Sequence, residues 1–203
     1  MTNIDFKKEY KELFSPSAKQ FSVVDVPRFN FFLVDGQGDP GNSKEYQQAV
    51  EALYSASYTL RFLIKDQKNI KYTVAPLEGL WWADNMEDWV NLSRDEWKWT
   101  MMILQPDFAN SDQIQAAKEG AAKKSDSPAL EKLRFEVFTE GKAAQILYLG
   151  PYTDEGPTIA RLHEYIAEQG LKLSGKHHEI YLSDPRRTSP EKLKTVIRQP
   201  VAE

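Results

Sequence analysis

The fold is decided by two stretches of sequence, AAQILYLGPYTDEGP at residues 143–157 and GKHHEIYLSDP at residues 175–185. Each contains a short apolar run with the β-branched and aromatic residues that favour strands, and each run ends at a Gly-Pro or Asp-Pro turn. Between them, residues 154–170 place apolar side chains at helical spacing and finish at Gly170, a residue suited to the end of a helix. The order is therefore strand, turn, helix, strand.

A similar order of elements occurs earlier in the chain. Residues 29–40, FNFFLVDGQGDP, predict a strand with a glycine-rich turn, and residues 72–84, YTVAPLEGLWWAD, predict another strand. A long helix begins between them at Ser43, a good N-cap residue. We therefore predict an α+β fold of two tandem β-α-β-β modules, which form a pseudo-symmetric antiparallel sheet with helices on one face and a ligand cleft on the other.

The chain of 203 residues is predicted to form one domain with two similar halves. The halves span about residues 20–105 and 133–201, and residues 1–19 form an N-terminal helical extension. Residues 133–150 are predicted to form a hairpin with its turn at Glu140 and Gly141, since a Glu-Gly pair separates two strand-like runs.

Composition excludes several classes of function. The chain has no cysteine, which rules out disulfides and thiolate metal sites, and its net charge of −4 argues against nucleic-acid or membrane partners. No signal peptide is visible, so a cytoplasmic protein is expected. No cofactor or metal is predicted, because His177 and His178 point to opposite faces of a strand and His163 lacks a ligand spacing.

The strand at residues 177–183 carries a carboxylate within an apolar run. Because strand side chains alternate between faces, His178, Ile180 and Leu182 share one face. The opposite face carries His177, Glu179, Tyr181 and Ser183. We expect the apolar set to pack under the helices and the Glu179 set to look into the helix-free cleft. The alternative is a solvated strand face on which Glu179 has no role.

Aromatic residues supply possible walls for that cleft. All five tryptophans lie between residues 81 and 99, which fits either a well-filled core or a pocket for a flat or cationic molecule. Adjacent Trp81 and Trp82 must point to opposite faces of a regular strand, so one is expected in the core and one in the pocket. Tyr148 and Tyr152 are the other predicted wall residues.

Residues 139–166 and 175–201 resemble the GyrI-like small-molecule-binding family, in its stand-alone bacterial branch. The likeness lies in the Glu-Gly turn, the Gly-Pro-Tyr turn, the helix and the Glu-x-Tyr strand, and it extends over nearly the whole chain. Related domains are effector sensors of multidrug-responsive transcription regulators and gyrase-inhibitor proteins. The leading 42 or so residues are too short for a DNA-reading domain, so direct nucleic-acid binding is not expected.

The resemblance implies a glutamate that meets cationic or polar ligands among aromatic walls, and the matching position here is Glu179 with Tyr181 beside it. Some stand-alone members hydrolyse the strained cyclopropane of DNA-alkylating toxins with aromatics and a carboxylate. Tyr148 departs from the family pattern, which has histidine there.

Two classes of function follow. One is a protein that binds amphipathic, aromatic or cationic small molecules, in toxin or drug protection. The other is a hydrolase of electrophilic small molecules such as cyclopropane-bearing genotoxins, with Glu179 as general acid or base and Tyr181 as its partner.

Overall fold

A computed structural model of the chain describes residues 2–83 and 93–203. After a short first strand, α-helices separate groups of two or three strands along these residues, and most strands are antiparallel to their neighbours. The order is β1 (Thr2–Ile4), α1 (Phe6–Glu9), α2 (Lys11–Phe14), β2 (Ser22–Val26), β3 (Phe29–Gln37), α3 (Lys44–Lys68), β4 (Ile70–Tyr72), β5 (Leu77–Trp82), β6 (Lys98–Gln105), α4 (Ser111–Ala122), β7 (Arg134–Phe138), β8 (Gly141–Leu149), α5 (Gly156–Glu168), β9 (Lys172–Leu173), β10 (His177–Tyr181) and β11 (Lys194–Ala202).

The chain divides into two compact units. The first combines the N-terminus up to Phe6 with Phe29–Phe138, and the second combines Lys7–Arg28 with Thr139–Glu203. The predicted boundaries of the halves stay a prediction, although β2, expected in the first half, belongs to the second unit. The N-terminal extension is not one helix, because β1 pairs in parallel with β4 before two short helices follow.

Both units follow the predicted β-α-β-β order. In the first unit the order along the chain is β3, α3, β5 and β6, with the short β4 between α3 and β5, and the sheet order is β5-β6-β3-β7. In the second unit the order along the chain is β8, α5, β10 and β11, with the short β9 between α5 and β10. The sheet order is β10-β11-β8-β2, and β9 pairs with the end of β11. The α+β fold with antiparallel sheets is thus confirmed.

The predicted hairpin at residues 133–150 is wrong. Strand β7 pairs with β3 in the first unit, whereas β8 pairs with β2 and β11 in the second. The physical reason is Glu140, whose side chain does not lie in an exposed turn but is 1% exposed against His178 and Arg198. Thr139 therefore begins the second unit rather than a turn between paired strands.

The first unit encloses an aromatic core under α3. Trp99 is fully buried, and Tyr46 from α3 meets its ring edge-on at 5.4 Å and stacks on Trp81 at 6.4 Å. Trp99 lies directly opposite Gly36 on β3 and Trp81 on β5. A side chain at position 36 would overlap the Trp99 ring, so glycine is what admits the tryptophan.

Replacing Gly36 by alanine is expected to lower the free energy of unfolding by about 1–3 kcal/mol, since the new methyl group overpacks a fully buried ring. Urea denaturation measures the effect. The matched control is Gly156→Ala at the start of α5, where an added Cβ meets nothing within 4 Å and little change is expected. Equal stability of the two variants would contradict this packing.

The second unit buries a charged network on one face of its sheet. His178, Arg198 and Gln145 form a row across β10, β11 and β8. The Glu140 carboxylate accepts from Arg198 at 3.1 Å and pairs with Nδ1 of His178 at 2.8 Å. Although burial opposes its charge, these neighbours lower the pKa of Glu140 to about 2.

The same network holds the N-terminal segment of the second unit. The guanidinium group of Arg198 donates to the Gln145 side chain at 3.0 Å and to the backbone carbonyl of Leu13 at 2.8 Å. Gln145 in turn donates to the Glu12 carbonyl at 2.7 Å. These carbonyls belong to α2, so the network supplies partners for a helix end that needs them.

Candidate functional site

The opposite face of the second unit's sheet carries the predicted site residues in register. Tyr148 on β8 lies opposite Thr195 on β11, which in turn lies opposite Tyr181 on β10. In the next row Ile197 separates Glu179 from Ile146. Since directly paired residues point to the same side of a sheet, Tyr148, Tyr181 and Glu179 share a face.

This face is the one that α5 covers. Leu162 and Ile166 of α5 pack against Ile146 and Ile197, the row that also carries Glu179. The expectation that Glu179 faces away from the helices is therefore wrong, although the grouping by alternation holds. The expectation failed because it assumed that only apolar side chains cover a buried face. The face opposite Glu179 is instead closed by the Glu140–His178–Arg198 network as well as by apolar side chains.

Glu179 is held by two neighbours from its own strand. The Tyr181 hydroxyl donates to Oε2 at 2.8 Å, and Nε2 of His177 lies 3.2 Å from Oε1. The Glu179 side chain is 14% exposed, which is enough to meet a small molecule and too little for free solvation. The side chain is therefore fixed in orientation and does not lie in open solvent.

A second carboxyl group, Glu155, lies beside Glu179. Glu155 is the N-cap residue of α5, yet its side chain makes no capping hydrogen bond to its own helix. It is buried with Glu179 and the Thr195 hydroxyl as neighbours. Its Oε1 atom has no hydrogen-bond partner in the part of the chain that the structure describes.

The pKa of Glu155 lies well above the ordinary glutamate value. Burial first, and then the negative charge of Glu179, raise the pKa of Glu155 to about 9, while Thr195 opposes the rise. The helix N-terminus favours the charged form by about 0.3–1 kcal/mol, which is less than one pKa unit. Two adjacent carboxyls in such different surroundings are suited to hold different protonation states.

Two histidines adjoin the pair. His177 is buried next to Glu179, and His163 on α5 lies close to His177. Burial first, and then the proximity of His177, lower the pKa of His163. Nε2 of His163 is buried without a hydrogen-bond partner among residues 2–83 and 93–203.

Three tyrosines surround the carboxyl pair. Tyr152 stands on the turn before α5, is 39% exposed, and meets Tyr181 edge-on at 5.6 Å. Tyr148 lies near Glu155 and donates its hydroxyl to the Pro151 carbonyl at 3.1 Å, which anchors the turn that carries Tyr152 and Glu155. The phenol at position 148 thus has a positioning contact of its own.

The structure brings together Glu179, Tyr181, Tyr148 and Tyr152, all in the second unit. Trp81 and Trp82 belong to the first unit, and their contact with a ligand stays a prediction. Trp81 is 5% exposed and packs on the α3 side, whereas Trp82 is half-buried on the opposite strand face. One of the two is thus in the core, as expected from adjacent strand positions.

Sequence reasoning missed Glu155, and the two units show the signal that could have found it. Gly38 and Gly150 both have positive φ angles after the first strand of their module, and the helix N-cap follows five residues later. That residue is Ser43 in the first unit, where it caps α3, and Glu155 in the second. A glutamate is a poor N-cap, so its presence there called for another role.

The polar site occurs in one unit only. With Gly38 matched to Gly150, the register of the paired strands matches Trp99 to Thr195 and Trp81 to Tyr181. Glu179 then corresponds to Gly79. In the first unit, aromatic rings therefore occupy the positions that correspond to the site of the carboxyl pair in the second unit.

No group of three or more histidine, aspartate or glutamate side chains suited to a metal ion occurs within residues 2–83 and 93–203. Across the same ranges, every helix is too short or too polar to cross a membrane.

A family model matches residues 19–202 of the chain and is described as the GyrI-like small molecule binding domain. Two solved structures from Listeria innocua are similar over 98% of this chain and all of theirs. One is an uncharacterized conserved protein with 39% identity and a TM-score of 0.89, and the other is a hydrolase with 38% identity and a TM-score of 0.85.

A more distant structure, the C-terminal domain of EcmrR, shares 11% identity, with 91% of this chain and 98% of that domain covered. Its TM-score of 0.57 shows a common fold alone. No curated protein sequence matches the chain significantly.

Proposed function

The chain belongs to the GyrI-like family of small-molecule-binding domains, and from this premise we propose that its second unit binds an electrophilic small molecule and hydrolyses it by acid–base catalysis. The observation that carries the proposal is the carboxyl pair, in which Glu155 is buried beside Glu179 and its pKa is raised to about 9. A neutral acid next to an oriented carboxylate is the equipment that hydrolysis needs.

The proposed reaction assigns one step to each carboxyl group. Glu179 accepts a proton from a water molecule while the oxygen of that water bonds to the electrophilic carbon of the substrate. The bond from that carbon to its leaving atom breaks, and the leaving atom takes the proton of Glu155. Glu179 then holds a proton and Glu155 a charge, and transfer of the proton between these neighbours restores the starting state.

The tyrosines supply the binding surface. Tyr152 and Tyr181 offer aromatic faces and edges to a flat molecule, and Tyr148 holds the turn that carries the acid. The negative charge of the site favours neutral or cationic molecules over anions. A strained ring, such as the cyclopropane of a genotoxin, fits this chemistry because protonation and attack by water open it in one step.

A similar protein from Listeria innocua supports the reaction class, because it is described as a hydrolase and is 38% identical over nearly the whole chain. The second candidate function is binding alone, in drug or toxin protection. The observation that favours it is the orientation of Glu179 by Tyr181 and His177, which also suits a fixed counter-charge for a cationic ligand.

The proposed function is tested by incubating the protein with a cyclopropane-bearing electrophile, an epoxide and an activated ester in ¹⁸O-labelled water. Mass spectrometry should find a product that has gained one labelled water. Glu164→Gln, an exposed position on α5, is the matched control and should retain the activity. Binding of these compounds without any labelled product would contradict hydrolysis and leave the binding function.

A further inference from the structure

The two carboxyl groups of the pair differ in their hydrogen-bond donors. Glu179 accepts from the Tyr181 hydroxyl on Oε2, and its Oε1 lies 3.2 Å from Nε2 of His177. Glu155 has the Thr195 hydroxyl as its neighbouring donor group, and its Oε1 has no hydrogen-bond partner within the described ranges. Since donors stabilise the charged form of a carboxylate, the unequal supply favours charge on Glu179 and the proton on Glu155.

The proposed reaction gives no role to His177, which is one of the two side chains that contact the Glu179 carboxyl group. The His177 side chain is 9% exposed, so a missing partner would be costly. When Glu179 is ionised its oxygens only accept, and Nε2 of His177 then carries the hydrogen in this contact. Two further titratable groups face this contact: Glu155, from the turn before α5, lies beside Glu179, and His163, from α5 itself, lies beside His177.

We propose that His177 is a positioning residue that assigns the shared proton of the carboxyl pair to Glu155, by donating from Nε2 to Oε1 of Glu179. Its catalytic consequence rests on the proposed function, because the assignment decides which group is the acid and which is the base. The assignment itself exists in the resting protein and needs no substrate.

The test is carbon NMR of protein labelled at the glutamate carboxyl carbons, recorded near neutral pH. The variants Glu155→Gln and Glu179→Gln assign the two signals. His177→Met removes the donor at similar size, and the Glu179 signal should move toward the position of a protonated carboxyl as the Glu155 signal moves toward an ionised one. His177→Gln keeps an N–H group near the position of Nε2 and should retain the original signals.

Tyr181→Phe provides a second variant if His177→Met does not fold, and it should shift the signals in the same direction. Unchanged signals in His177→Met or, where only the second variant folds, in Tyr181→Phe would overturn the inference. Turnover is measured on the same samples. If the signals of His177→Met move as expected but the unaltered protein has no hydrolase activity, the proposed function is refuted and the inference stands. If the unaltered protein turns over substrate but the signals of His177→Met do not move, the inference is refuted and the proposed function stands.

Discussion

Replacing Glu155 by glutamine is expected to reduce the turnover of a hydrolysable electrophile by about 10²–10⁴-fold, the usual contribution of a positioned acid. Glutamine keeps the shape of the side chain but cannot give up a proton to the leaving atom. The Michaelis constant should change little, because the lost interaction acts in the transition state. Steady-state kinetics with separate kcat and KM values measures the effect.

Glu179→Gln is expected to cause a loss of similar size, since it removes the group that activates water. The double variant should be little worse than either single one, because groups that act as a unit give non-additive losses. If the loss of turnover in the double variant equals the product of the two single losses, the shared-proton account is contradicted. If Glu179→Gln instead weakens only the binding of cations and leaves neutral aromatics unaffected, the site works by charge pairing without catalysis.

Replacing Arg198 by methionine is expected to lower the free energy of unfolding by about 3–5 kcal/mol, the cost of breaking one partner of a buried ion pair. The variant leaves the Glu140 carboxylate, which is 1% exposed, without its guanidinium partner and with its contact to His178. It also removes a donor from the Leu13 carbonyl of α2. Urea denaturation measures the change.

The matched control is Lys142→Met, which breaks the exposed pair with Glu203 on the same unit. Exposed pairs contribute about 0–1 kcal/mol, so little change is expected. Equal losses of unfolding free energy in Arg198→Met and Lys142→Met would contradict the account.

The network also predicts that stability depends on pH. The pKa of Glu140 is lowered from 4.5 to about 2, so its stabilising contribution is complete above pH 4.5 and is lost as the pH falls toward 2.

Local patterns predicted much of the second unit. The alternation of residues 177–183 placed His177, Glu179 and Tyr181 on one face, and the structure joins them by hydrogen bonds. The N-cap at Ser43 and the β-α-β-β order also follow from patterns within single elements. These features depend on backbone geometry that repeats every few residues, so sequence alone carries them.

Features that depend on distant residues were not predictable in this way. Glu140 looks like a turn residue until His178 and Arg198, 38 and 58 residues away, are known to enclose it. Which face α5 covers follows from packing against Ile197, and not from the polarity of residues 177–183. Glu155 reads as part of a helix start, and its role emerges only when Glu179 lies beside it.

The central claim is that Glu155 is a neutral carboxylic acid beside Glu179 in the resting protein. Difference infrared spectroscopy between the unaltered protein and Glu155→Gln tests it directly through the carbonyl stretch of a protonated carboxyl group. The account predicts that this band is present at about pH 7 and disappears near pH 9, the raised pKa of Glu155. A band that is already lost near the ordinary glutamate value of about 4.3 would contradict it.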